Sequence, residues 1–322
     1  VDALPPTLRL IMTTRASPPL PLARWRGRSD LAEIRAAELR SDDTETPLLL
    51  SALVGAPLSP TIVAAIHSRT EGWVTGLRLA ALSLQRTDPE RLLATFEQAS
   101  SVNIRDYLLD EVLHRQPAAV ERFLLETSIL ERFCAPLCAA LVTGEATTVE
   151  AERASRAMLD RVTAAGLFVT LLDDAGEWRR YHPLFAELLR LRLHHLHGAP
   201  RMAELHCAAG HWFAGQGLVD EAIRHLLAGG DSAAAAEVVA GQFQSVLNRE
   251  DWPQLERWLA LLPESAVMNH PVLLLARAWC DQFHFALASV PPLLARLDAL
   301  LPMLDPATAA VLAARAAPLR AF

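Results

Sequence analysis

Cysteine is scarce in this sequence, with four in 322 residues, and no basic tract interrupts a chain of net charge -7. Cys134, Cys138, Cys207 and Cys280 are too scattered for a disulfide scaffold. Cys134 and Cys138 sit four apart in "FCAPLCAAL", on one helical face. No second pair stands at metal-site spacing, so zinc has no support and reduced, buried thiols are expected. The acidic balance gives no support for wrapping nucleic acid. The longer apolar runs carry charges or helical periodicity, and none reaches the length of a membrane span. The opening "VDALPPTLRLIMTTR" has neither the basic start nor the small-residue cleavage site of a signal peptide. Gly-x-x-x-x-Gly-Lys-Ser/Thr, Gly-x-Ser-x-Gly and His-Glu-x-x-His do not occur. That excludes a phosphate-cradling loop, a serine-hydrolase elbow and a zinc-protease pair in this stretch.

Hydrophobic residues are plentiful at 52%, enough for more than one buried core. Leu8 to Thr13 reads as a short buried strand, followed by Pro18, Pro19 and Pro21, which prevent regular structure. From Asp42 the texture is helical. Ser41 or Asp42 is placed to cap a first helix, and Ser59 followed by Pro60 to start a second. "TGLRLAALSLQR" puts Leu77, Ala80, Ala81 and Leu84 on one face of a third.

From Val102 the pattern is a run of helices, then a hairpin, then one more helix. Asn103 to Arg115 carries Leu108, Leu109, Val112 and Leu113 at helical spacing, and Gly166 is placed as a helix stop. "LFVTLLDDAGEWRRYH" reads as two strands around a turn at Asp174 to Glu177, with Gly176 free to take positive φ. This order describes a winged-helix-like unit. Its candidate reading helix, Ala151 to Ala165, mixes Glu152 and Asp160 with Arg153, Arg156 and Arg161, so packing suits it better than reading DNA. From Ala199 serial helix pairs follow, the texture of a solenoid that binds through a concave surface. Both ends suggest a piece of a longer protein.

Few residues invite chemistry. Arg15, at the end of the first strand, could set its rigid fork on a phosphate oxygen or form a surface ion pair. His182 precedes Pro183 and a long helix. It could cap that helix, or join the helix amides in holding an anion. His194, His195 and His197 read as solvated residues near a helix end, with metal binding the lesser alternative.

The ordered segments "LRLIMTTR", "LAEIRAAELR", "RTEGWVTGLRLAALSL", "YLLDEVLHRQPAAVERFLLETSILERFCAPLC" and "RYHPLFAELLR" resemble one family. It comprises the LuxR-family large ATP-binding transcriptional regulators, maltose-regulon activator-like signal-transducing ATPases with numerous domains. The likeness covers most of the chain and is strongest from Leu8 to about Gly230. It implies that Arg15 is the family's sensor arginine, with Thr13 and Thr14 as polar residues beside it. It also implies that His182 is the winged-helix histidine that contacts bound ADP, and that Gly72 opens the Gly-x-Pro element along the base. Val74 departs from that element, where proline is common.

The expected fold is mainly α. Residues 1–30 would hold the last strand and sensor region of an α/β nucleotide-binding domain, and 31–101 a helical domain. A winged-helix-like domain would span 102–198 and a tetratricopeptide-like repeat region 199–322. The resemblance implies a central regulatory fragment of an ATP/ADP-switched regulator. ATP or ADP with magnesium would bind the intact parent, and this fragment weakly or not at all. It implies a small-molecule or protein effector at the repeats, self-association of the parent, DNA contact only through a C-terminal domain, no membrane and a cytoplasmic location. A helical-repeat scaffold that binds no nucleotide is the alternative.

Overall fold

The computed structural model describes residues 10–14, 18, 20–35, 38–84, 107–143 and 148–321. The chain divides into two compact units, Val1–Ala139 with Thr147–His195, and Ala140–Ala146 with Leu196–Phe322. Described residues are mostly helical, with two short strands.

In the first unit, short α1 (Leu22–Gly27) precedes a small bundle of α2 (Glu45–Val54), α3 (Pro60–Thr70) and α4 (Val74–Leu84), which pack on one another. The Asp42 carboxylate accepts the amides of Thr44 and Glu45, both at 2.8 Å, and so starts α2. Ser59 accepts from the Ile62 amide, and Pro60 takes the first position of α3, where its missing N–H is no loss. Leu50, Ile66, Leu77 and Ala80 fill the bundle core. Glu71 and Gly72 then turn the chain with φ of 47° and 71°.

The winged-helix part follows as α5 (Ala118–Thr127), α6 (Ala135–Thr143), α7 (Val149–Ala164), β1 (Val169–Leu171), β2 (Arg179–Tyr181) and the start of α8 (Pro183–Gly215). Leu108–Leu113, inside the helix expected over Asn103 to Arg115, is π-helical. Val169 pairs with Tyr181, Thr170 with Arg180 and Leu171 with Arg179. Asp173 closes the hairpin by accepting the amides of Glu177 and Trp178 at 2.8 and 3.0 Å. Phe133 adds an antiparallel bridge on the other side of Arg179. The Arg179 side chain is buried and ion-paired to Asp160 at 2.7 Å, tying hairpin to α7.

The strand expected over Leu8 to Thr13 does not form in its described part. Residues 10–14 are irregular, and Leu10, Ile11 and Met12 are exposed. A strand is stable only when its amides and carbonyls find a ladder, and β1 and β2 are paired with each other.

The chain enters the second unit within α8, which breaks at Gly198 (φ 74°, ψ 179°). Serial helices follow: α9 (Val219–Ala228), α10 (Ser232–Arg249), α11 (Trp252–Leu261), α12 (Glu264–Met268), α13 (Pro271–Phe283), α14 (Val290–Leu300) and α15 (Pro306–Ala316). Each packs mainly on near neighbours in sequence, as helical repeats do. One continuous core runs through them, with Phe243, Leu255, Leu273, Leu274, Leu275 and Leu297 almost fully buried. Gly210 allows α8 and α9 to touch, since a Cβ there would sit 2.6 Å from Leu226 Cγ and 3.0 Å from its backbone N.

Between the same helices, His206 and His225 meet with their Nδ1 atoms 3.0 Å apart. Burial, then the neighbouring His206 and Arg224, lower the pKa of His225 from 6.5 to about 4, with Glu221 opposing. The folded unit therefore refuses a proton that the unfolded chain takes. Stability from this group is full above about pH 6.5 and declines as pH falls toward 4, by up to about 1.4 kcal/mol per pH unit. Urea melts of the wild type and His225→Gln at pH 7.5 and 5.0 check this. The wild type should lose more stability on acidification, and equal losses would contradict the burial argument.

Candidate functional site

The end of α3 meets the hairpin-to-helix junction residue by residue. Arg69 Nη2 lies 2.5 Å from Glu187 Oε2. The Thr70 carbonyl lies 2.9 Å from His182 Nε2. Glu71 takes Arg180 in a two-point fork, at 2.7 and 3.0 Å. Arg40 adds a second cation to the Glu71 carboxylate at 3.3 Å.

His182 is only 3% exposed. A carbonyl can only accept, so Nε2 carries the proton and donates to Thr70. Nδ1 is then a bare acceptor, buried and without a partner. Burial pushes the pKa of His182 down, against the Thr70 hydrogen bond and the Glu71 charge, so the ring is neutral. The ring does not cap α8. The His182 backbone carbonyl does that work, accepting the amides of Phe185 and Ala186 at 3.0 and 2.9 Å. Its own amide donates to Phe168 at 2.8 Å, which ends the hairpin in register.

Aromatic rings wall this junction. Trp73 lies 4.9 Å from Phe168, 6.1 Å from Tyr107 and 6.1 Å from His182, centroid to centroid. Burial works against the charged form of Glu71, yet hydrogen bonding by Arg180 and the charges of Arg180 and Arg40 hold its pKa below the usual carboxylate value. The junction therefore combines a neutral histidine, a carboxylate and arginines on an aromatic wall.

Of the residues singled out from sequence, the structure joins Gly72 and His182 through the Thr70–Trp73 turn. Gly72 is held against another backbone: its carbonyl accepts the Ser41 amide at 2.9 Å. Val74 is 43% exposed and begins α4, while Trp73 supplies the wall. Thr14 is exposed in the irregular segment 10–14. Arg15 lies outside the described residues. His194, His195 and His197 are exposed, and no group of metal-ligating side chains forms among the described residues. Sequence reading missed Arg40, Glu71 and Arg180 as a cluster. Arg180 sits in the quoted motif, but nothing in spacing pairs it with a glutamate 109 positions earlier. In the second unit, a shallow cleft of about 320 Å³ opens among Ser232, Glu237, Ser265, Asn269 and His270.

Residues 109–201 match the MalT winged helix domain. The chain is 38% identical over 280 residues to the serine/threonine-protein kinase PknK of Mycobacterium tuberculosis, covering 85% of this chain and 24% of the kinase. It is 31% identical over 296 residues to the HTH-type transcriptional regulator MalT of Klebsiella pneumoniae, covering 91% of this chain and 32% of the regulator. It thus spans about a quarter to a third of the length of these curated relatives. No described helix is long and apolar enough to cross a membrane. With winged helix, hairpin and helical repeats in that order, the chain is MalT-like: it carries the MalT winged helix domain and is similar to MalT over most of its own length.

Proposed function

We propose that this chain is the central regulatory segment of a nucleotide-switched transcriptional regulator, in which His182 senses the phosphates of bound ADP. The observation that carries this is the placement of His182: almost fully buried, against the Thr70–Trp73 turn, with one ring nitrogen unpartnered. An unpaired buried polar atom is costly and calls for a reason. In the intact parent, a phosphate set against Nδ1 would draw a proton onto that nitrogen, whose new N–H would donate to the phosphate while Nε2–H stays on Thr70, with Gly72 and Trp73 beside the base and Arg15 and Thr14 at the terminal phosphate. Magnesium and the phosphate-cradling loop would come from the rest of the parent. ADP would then hold the first unit in its resting arrangement.

An effector, small molecule or protein, would bind the helical repeats, where the cleft near His270 offers polar groups. Effector binding would shift the balance toward an ATP-bound, self-associating state in the cytoplasm. Such a shift needs several kcal/mol of differential affinity between states. DNA would be met by a C-terminal domain of the parent. A second reading has its own support: the identity with the kinases is higher than with the regulators, so the same segment could govern a kinase output instead.

A dose–response test on the intact parent separates a switch from a scaffold. His182→Ala should lower the effector concentration needed for half-maximal output by about tenfold, through loss of a hydrogen bond to a charged group. An unchanged dose–response in a folded variant favours the scaffold that binds no nucleotide.

A further inference from the structure

We propose that Glu71 is an internal stand-in for phosphate, and that the Arg40–Arg180 pair it occupies is a docking point for a polyphosphate. This rests on the reading of His182 above and deepens it, by adding two residues that the resemblance did not supply. Glu71 accepts both terminal nitrogens of Arg180 and one of Arg40. A planar guanidinium presents the same fork to a carboxylate and to a phosphate, so the two anions compete for it.

The layering fits such an exchange. Arg40 and Arg180 side chains are 39% and 30% exposed, while that of Glu71 is 19% exposed, so solvent reaches the cations more readily than the carboxylate. Glu71 itself has φ 47°, a left-handed backbone that a non-glycine residue adopts at some expense. Its position one residue after the carbonyl that holds His182 couples the fork to the ring. Two arginines on one carboxylate leave a net positive charge that a dianion balances better. A salt bridge that only ties α3 to the hairpin predicts the reverse: removing Glu71 would loosen the site and gain nothing for anions.

The test is calorimetric titration of inorganic pyrophosphate into the 322-residue chain at fixed ionic strength. Glu71→Gln, which keeps the shape and removes the charge, should bind pyrophosphate about fivefold tighter or better than the wild type. Adding Arg180→Gln should abolish the gain. Equal, weaker or undetectable binding by a folded Glu71→Gln protein overturns the proposal. Should that variant not fold, Arg180→Lys keeps the charge without the fork. The rise in melting temperature caused by pyrophosphate should then shrink relative to the wild type, and an undiminished rise overturns the proposal. Pyrophosphate has no base and bypasses the wider nucleotide reading. If His182→Ala in the parent leaves ADP affinity intact while Glu71→Gln tightens pyrophosphate, the His182 reading fails and the fork stands. The converse pair of results removes the fork alone.

Discussion

Phe185→Ala should destabilise the first unit by about 3–5 kcal/mol, the range for truncating a large buried aromatic. Phe185 is fully buried in the first turn of α8. Its ring lies 5.4 Å from Phe168 and 6.0 Å from Tyr181, across the end of the hairpin. Its amide bonds the His182 carbonyl at 3.0 Å. The cavity would open beside the rings of Phe168 and Tyr181, which are rigid and collapse poorly into it. Urea melts followed by far-UV circular dichroism measure the loss. A change below about 1 kcal/mol would mean that the junction is not close-packed and that His182 is not held in place by it.

Gly72→Ala should cost about 3 kcal/mol or more, from two additive sources. Gly72 has φ 71°, which disfavours any side chain. A Cβ there would also sit 2.2 Å from the Ser41 carbonyl oxygen, a backbone atom with no room to turn aside. The carbonyl of Gly72 holds the Ser41 amide at 2.9 Å, so the two strands of chain cannot part without losing that bond. Gly55 separates the sources: it has φ 82° but open space around its Cβ direction. Gly55→Ala should cost about 1 kcal/mol, the backbone penalty alone. Equal losses at the two sites would show that the close approach of Ser41 is not what demands glycine at 72.

Local chemistry was legible from sequence where one short segment decides the outcome. Asp42 and Ser59 do start helices α2 and α3, as their residue types imply. Gly176 does take positive φ in the hairpin turn, at 66°. The fold class follows from such segments added together, since helices and a tight hairpin are local structures. The strand over Leu8 to Thr13 depended on a partner elsewhere in space, and its apolar run could not supply one. The junction was illegible for the same reason. Glu71 and Arg180 are ordinary charges in sequence, and only the fold brings them to 2.7 Å. His182 was legible as a special position, but not in its details. The capping alternative gave the ring a task that the backbone carbonyl performs instead, and nothing in the spacing showed that the ring turns to the Thr70 carbonyl.

Equilibrium ADP affinity and melting temperature, both determined on the intact parent carrying His182→Ala, test the central claim most directly. The phosphate-sensing account predicts an ADP affinity about tenfold lower than the wild type, equivalent to roughly 1.4 kcal/mol. A purely structural histidine would leave ADP affinity unchanged beside a lowered melting temperature, and that result would contradict the account.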